Sequence, residues 1–186
     1  MIKLYRYFGI LMILVEWLLI AGLYLIRPKQ LTIKTPISDF LIFNSTRFLF
    51  IAGFVAVAIL FYVFIHKYLN EVLIVPVKIF DLSLFFLIIA LAVPYGTWGY
   101  TIHTIGASLF AACFFLGVFI IGLKNKLAYV RNVSYLSVIL LILTLFLTLV
   151  LEGVQVLLLF EFSIGVFGQA WIFLISIYHL DKRICP

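Results

Sequence analysis

Six long apolar runs constrain the fold of this chain more than any other feature of its sequence. They lie near residues 8–26, 47–66, 75–94, 100–123, 132–151 and 157–179. Each run is continuous and about as long as the ~20 residues that an α-helix needs to cross a bilayer. A strand of a membrane barrel would instead show ~10 residues of alternating polarity. The pattern therefore predicts an all-α, polytopic membrane protein, a six-helix transmembrane bundle that forms a single transmembrane domain over residues 1–186.

The composition supports this interpretation. Hydrophobic residues make up 67% of the chain and charged residues only 11%, whereas soluble proteins carry about 25% charged residues. The chain has a net charge of +6. In a membrane protein, such an excess of Lys and Arg is typical of cytoplasmic loops that contact anionic lipid headgroups, and it does not indicate nucleic acid here. The expected partners are membrane lipids, with no nucleic acid and no cofactor.

The distribution of Lys and Arg predicts the orientation. If the N-terminus is inside, nine of the thirteen Lys and Arg residues fall on the inner side. The other four, Arg27, Lys29, Lys34 and Arg47, all lie around the connection between the first two helices. Because cytoplasmic loops carry the excess of Lys and Arg, we expect both termini in the cytoplasm and this first connection outside.

A small set of polar residues is expected at the outer half of the bundle. An ionisable group within a membrane span costs a few kcal/mol, so it needs a partner or a wet cavity. The candidate ligand-binding residues are Glu16, Ser38, Asp39, Arg47, His103 and Glu161, and Glu152 and Gln155 lie near the same side. They predict an outward-facing polar pocket that binds a lipid headgroup or a small solute.

Two contacts are expected within this set. Asp39 and Arg47 should pair or share a polar neighbour, and His103 and Glu161 should face one cavity. Purely structural roles are the alternative: the carboxyl groups of Glu16 and Glu161 could hold helices together, His103 could donate a hydrogen bond between helices, and Ser38 and Asp39 could cap a short helix.

Other chemistries find little support in the sequence. His66, His179 and Asp181 are expected at the inner face, at a different depth from His103, so a three-histidine zinc site is not predicted. No phosphate-binding glycine loop and no CxxC motif occur. No metal site is therefore expected.

Three stretches resemble a known family. PISDFLIFNSTRFLFIAGF (36–54), GYTIHTIGASLFAACFF (99–115) and FEFSIGVFGQAWIFLISIY (160–178) are similar to the six-helix membrane proteins catalogued as domain of unknown function 998. The pattern is also similar to the wider DRAM and Frag-like group, which includes factors that remodel GPI-anchor lipids. The resemblance implies an outer or lumenal polar element, with matching positions at Ser38, Asp39, Arg47, His103, Gly106, Ala107 and Glu161. It implies no particular reaction.

Three function classes remain open. The first is a protein that binds lipids or organises the membrane without catalysis. The second is a lipid-modifying enzyme that uses His103 with Asp39 or Glu161. The third is a proton-coupled transporter of small solutes that uses Glu16 and Glu161. A continuous polar path to the inner face would favour transport, and a closed outer cup that opens towards lipid would favour the first two. An enzyme should place a Ser or a water against His103.

Overall fold

Six helices account for most of the chain. The computed structural model describes residues 2–30, 37–93, 97–150 and 157–177. The helices are α1 (Ile2–Ile26), α2 (Asn44–Val72), α3 (Val77–Ala92), α4 (Thr97–Lys124), α5 (Ala128–Val150) and α6 (Leu157–Ile177). Short 3-10 turns lie at Pro28–Gln30 and Ile37–Leu41, and the described residues contain no strand. The predicted all-α six-helix bundle is confirmed.

The helix ends differ from the predicted runs by several residues. The helix α1 begins at Ile2, and α2 extends beyond its apolar run at both ends. The extension of α2 includes one π-helical turn at Ile65–Leu69. Polar residues such as Arg6 and Lys67 therefore lie within helices rather than in connections, because helical hydrogen bonding continues where the apolar pattern stops. Glu152, Gln155, His179 and Asp181 lie outside the described residues.

Length and apolar surface identify a membrane protein. Four described stretches are long and apolar enough to cross a membrane: Leu4–Ile26, Asn44–Val72, Trp98–Lys124 and Ala128–Leu147. Large apolar side chains cover their outward faces, and Leu25 and Phe48 are each 83% exposed. A surface of this kind is stable in hydrocarbon and would aggregate in water. The 16 residues of α3 span only about 24 Å, less than the ~30 Å hydrocarbon core.

Packing joins the six helices into one bundle. The helix α1 contacts α2 and α6, α3 contacts α4, and α5 lies between α4 and α6. Successive helices run in opposite directions; in the first pair, Gly9 lies near Phe64 and Gly53 lies near Leu19. We call the end of the bundle with the connection 27–43 the outer end, following the predicted orientation, and the opposite end the inner end.

A dense aromatic core fills the bundle towards the inner end. Phe64, Phe80 and Trp171 are fully buried there, and Phe114 is nearly so. The rings of Phe80 and Phe114 meet edge to face at 5.9 Å between centroids, a geometry that aromatic pairs favour. The indole Nε1 of Trp171 donates a hydrogen bond to Ser134 Oγ at 3.0 Å, so the one polar atom of this large side chain is satisfied. This part of the bundle is packed with side chains.

Two polar contacts join connections and helices at the inner end. The side chain of Asn125 accepts a hydrogen bond from Ile74 N at 3.1 Å and donates one to Ile74 O at 3.2 Å. The imidazole of His66 contacts Asp81 Oδ1 at 2.8 Å, which joins the π-helical turn of α2 to α3. The sequence placed His66 at the inner side but did not indicate its pairing with Asp81.

Candidate functional site

A short turn before α2 forms the outer corner of the site. Phe40 and Leu41, in the turn Ile37–Leu41, are buried against a second apolar cluster that includes Leu23. The first turn of α2 then holds this segment in place. The hydroxyl of Thr46 donates to Phe40 O at 2.8 Å, and Nε of Arg47 donates to Leu41 O at 2.7 Å. Apolar burial and these two hydrogen bonds fix the position of Ser38.

The expected salt bridge between Asp39 and Arg47 is not formed. Within the described part of the chain, the ion pair closer than 4.0 Å is His66–Asp81. Arg47 instead satisfies a backbone carbonyl of its own connection, because the turn brings Leu41 O over the start of α2. Arg47 therefore holds the turn and does not line the cavity described below.

Glu161 connects the outer turn to α6. Its Oε2 accepts a hydrogen bond from Ile37 N at 3.0 Å, and its Oε1 accepts one from Ser38 Oγ at 3.0 Å. Both carboxyl oxygens thus have a donor from the same two-residue segment. Hydrogen bonds to a charged group are stronger than neutral ones, so this contact is well suited to position Ser38 and Glu161 relative to each other.

His103 makes a hydrogen bond between helices. Its Nδ1 lies 2.8 Å from Ala90 O, and a carbonyl oxygen can only accept, so Nδ1 donates. The same residue of α3 meets Gly106 of α4: a Cβ at Gly106 would lie 3.1 Å from Ala90 N. A larger side chain there would push the two helices apart. The His-x-x-Gly spacing therefore combines a hydrogen bond with a close helix contact.

Asp39 lies beside the site, in the turn outside the helices. Burial raises the pKa of its carboxyl above the ordinary 3.8, and the positive charge that His103 can carry acts in the opposite direction. The two side chains are therefore electrostatic neighbours. Asp39 is not among the described residues that line the cavity.

One cavity brings four of the six predicted residues together. It has a volume of about 170 Å³, and Glu16, Ser38, His103 and Glu161 all line it. Its other described walls are largely apolar and come from α1, α2, α3, α4 and α6. An engineered cavity of about 150 Å³ holds a benzene molecule, so this one can hold a group of similar size. The expectation that His103 and Glu161 face one cavity agrees with this geometry.

Gln169 is a polar member of the cavity that the sequence reasoning missed. Its amide lies beside the carboxyl group of Glu16, and both side chains line the cavity. Glu161, Gly165 and Gln169 are spaced by four residues, which places them on one face of a helix. That spacing, opposite a carboxyl group on α1, is the signal that could have identified Gln169.

The polar lining ends at Glu16 and Gln169. A second cavity of about 90 Å³ lies deeper and shares these two residues with the first. Its remaining described walls are apolar, apart from the glycines of α6, and include Met12, Phe61 and Phe114. Glu161 and Gln169 are eight residues apart, about 12 Å along the helix. The polar part of the site therefore extends from the outer turn to mid-bundle.

The cavity wall reaches the lipid-facing surface beside α1. Trp17 lines the cavity and is nevertheless 41% exposed. Its neighbour Leu18 is 73% exposed on the same helix. The indole of Trp17 therefore forms part of the wall between the cavity and the lipid-facing surface.

The comparisons with known proteins return no relative. No protein-family model, no curated protein and no solved structure matches the chain.

Proposed function

We propose that this chain is a multi-pass membrane protein that binds a lipid headgroup or a small solute in the outer cavity and does not catalyse a reaction. The observation that carries the proposal is the shared cavity of Glu16, Ser38, His103 and Glu161. A mostly apolar pocket with a few convergent polar groups is the usual form of a ligand site. Its volume suits a headgroup, while an acyl chain would remain in the bilayer beside Trp17.

Transport receives less support from the geometry. A proton-coupled carrier that uses Glu16 and Glu161 needs a polar path to the inner face. Below Glu16 and Gln169, the described walls of the deeper cavity are apolar, and the aromatic core around Phe80 follows. A fixed apolar barrier of this kind favours binding from one side.

A hydrolytic or acyl-transfer enzyme also receives less support. On the sequence-based expectation, such an enzyme places a Ser or a water against its base, His103. The hydroxyl of Ser38 donates to Glu161, and Nδ1 of His103 donates to a backbone carbonyl of α3. These bonds hold segments together, as the structural alternatives for His103 and Glu161 predict. The resemblance to the family of unknown function, on the positions quoted above, remains a prediction.

The proposed orientation places both termini in the cytoplasm. Single cysteines at Thr35 and Lys126, in a variant without Cys113 and Cys185, would test it in intact cells. A membrane-impermeant thiol reagent should label position 35 from outside and leave position 126 unlabelled. Labelling of position 126 from outside would reverse the topology and place the cavity on the cytoplasmic side.

Mass spectrometry of co-purified lipids tests the binding function directly. The purified protein should retain one lipid class or solute above its abundance in the host membrane. Glu161→Gln should reduce that retention several-fold, because it removes an acceptor in the cavity. Asp81→Asn is the matched control, since Asp81 lies at the inner end. A lipid profile equal to that of the bulk membrane for the unaltered protein would contradict the proposal.

A further inference from the structure

The charge of the cavity lining shows which kind of headgroup it can hold. Its described polar groups are two carboxyls (Glu16 and Glu161), one imidazole, one amide and one hydroxyl. No Lys or Arg is among the described lining residues. Sites for phosphate are built from Arg or Lys side chains and free backbone amides. The described lining therefore has the charge of a cation site.

Two described arginines at the outer end, and two donors of the outer turn, are already engaged. Nε of Arg47 donates to Leu41 O. Arg27 donates to Ser45 Oγ and lies 4.2 Å from the ring centroid of Phe43. The backbone amide of Ile37 and the hydroxyl of Ser38, which could bind an anion, both donate to Glu161. An anionic ligand would have to break these bonds and approach two carboxyl groups.

The walls of the cavity add a second, independent feature. Four aromatic side chains line it: Trp17, Phe50, Phe54 and Phe110. Aromatic faces attract ammonium groups through the ring quadrupole, and such side chains surround quaternary ammonium ligands in many proteins. Two carboxyl groups and four aromatic side chains in the described lining of one cavity match an alkylated cation in both charge and surface.

We propose that the cavity takes a ligand whose polar end is an organic ammonium cation and excludes one whose polar end is an anionic phosphate. This inference rests on the proposed binding function and specifies its ligand class. A carboxylate within a membrane protein needs a positive partner or a proton. The ammonium group supplies that positive charge between Glu161 at the outer turn and Glu16 at mid-bundle.

Four small probes test the inference in micelles of an uncharged maltoside. They are tetramethylammonium, hexyltrimethylammonium, hexyl phosphate and hexanol, each titrated while the melting temperature of the protein is followed. A ligand that binds only the folded state raises that temperature. Hexyltrimethylammonium should raise the temperature with a midpoint at least tenfold lower than hexyl phosphate or hexanol. This comparison uses the unaltered protein, so it does not depend on the folding of any variant.

The two ammonium probes distinguish the source of the ligand. If hexyltrimethylammonium binds and tetramethylammonium does not, the site needs a chain in the bilayer and the ligand is a lipid. If both bind equally well, the ligand is a small soluble cation. Either result supports the cationic class.

Variants connect the effect to the cavity. Glu161→Gln and Glu16→Gln should each weaken binding of hexyltrimethylammonium at least tenfold, and Asp81→Asn should leave it unchanged. Equal or tighter binding of hexyl phosphate overturns the inference but leaves the cavity as a binding site. A protein that retains a specific lipid yet binds neither ammonium probe also overturns only this inference. A protein that retains no specific lipid and binds neither ammonium probe overturns the proposed function as well.

Discussion

The hydroxyl of Ser38 donates a hydrogen bond to Oε1 of Glu161 at 3.0 Å, although 123 residues separate them in the chain. The contact joins the connection after α1 to the start of the last helix. Ile37 N binds the other oxygen of the same carboxyl group, so a single side chain of α6 holds the outer turn. Ser38 and Glu161 also line the cavity. The contact therefore links the stability of the outer end to the shape of the site.

Replacing Ser38 tests this link. Ser38→Ala removes one of the two donors to Glu161, and Ile37 N retains the other. We expect a loss of about 1–2 kcal/mol in the free energy of unfolding, the usual effect of removing a buried hydrogen bond to a polar partner. Thermal unfolding in detergent measures it. Ser108→Ala on the exposed face of α4 is the matched control and should unfold like the unaltered protein. Equal stability of the two variants would show that the Ser38 contact is not formed.

Arg47 is expected to act as a positioning residue for the turn. Arg47→Gln removes the guanidinium that donates to Leu41 O at 2.7 Å. Amide hydrogen exchange over residues 38–42 should then be about tenfold faster, because ~1.4 kcal/mol of local stability is lost. Arg131→Gln, an exposed position on α5, provides the control. If hydrogen exchange is unchanged in Arg47→Gln, the burial of Phe40 and Leu41 alone holds the turn in position.

The carboxyl group of Asp39 should make the protein less stable as the pH rises. Burial raises its pKa in the folded state above 3.8, so the folded protein binds the proton more tightly than the unfolded chain. This contribution to stability is largest below pH 3.8 and is lost as the pH rises through the folded pKa. Asp39→Asn should therefore melt at a higher temperature than the unaltered protein at pH 7, and the difference should vanish towards low pH.

Two further variants define the cause of this pH dependence. His103→Gln removes the positive charge that opposes the effect of burial, so Asp39→Asn should raise the melting temperature at pH 7 by more in that background than in the unaltered protein. Asp81→Asn should give no comparable gain at pH 7, since that carboxyl group has its own partner in His66. A melting temperature for Asp39→Asn below that of the unaltered protein at pH 7 would contradict the predicted sign.

The number and type of helices could be predicted from the sequence because each apolar run is long and continuous. The predicted outer location of His103 and Glu161 followed from their depth along these runs, and that of Ser38 from the connection before the second run. Depth along a helix is set by residue number alone at 1.5 Å per residue. That is why four predicted residues reach one cavity without any knowledge of the packing.

The partners of individual side chains could not be predicted in the same way. Arg47 bonds to Leu41 O rather than Asp39 because the 3-10 turn directs a carbonyl towards the start of α2. The pairing of His66 with Asp81 depends on the π-helical turn at Ile65–Leu69, which no apolar pattern indicates. The rotation of each helix about its axis decides such contacts. A helix that is apolar on all sides has no apolar stripe in its sequence to show which face points inward.

The last prediction concerns His66 and Asp81, whose contact lies at the end of the bundle opposite the cavity. Their side chains are 26% and 43% exposed, so water and salt screen the pair and its coupling energy should be below about 1 kcal/mol. A double-mutant cycle with His66→Gln and Asp81→Asn, followed by thermal unfolding, measures that coupling. Neither single variant should change the amount of lipid that co-purifies, whereas His103→Gln should reduce it. If His66→Gln reduces the bound lipid and His103→Gln does not, the ligand site belongs to the inner end rather than to the cavity at Glu161.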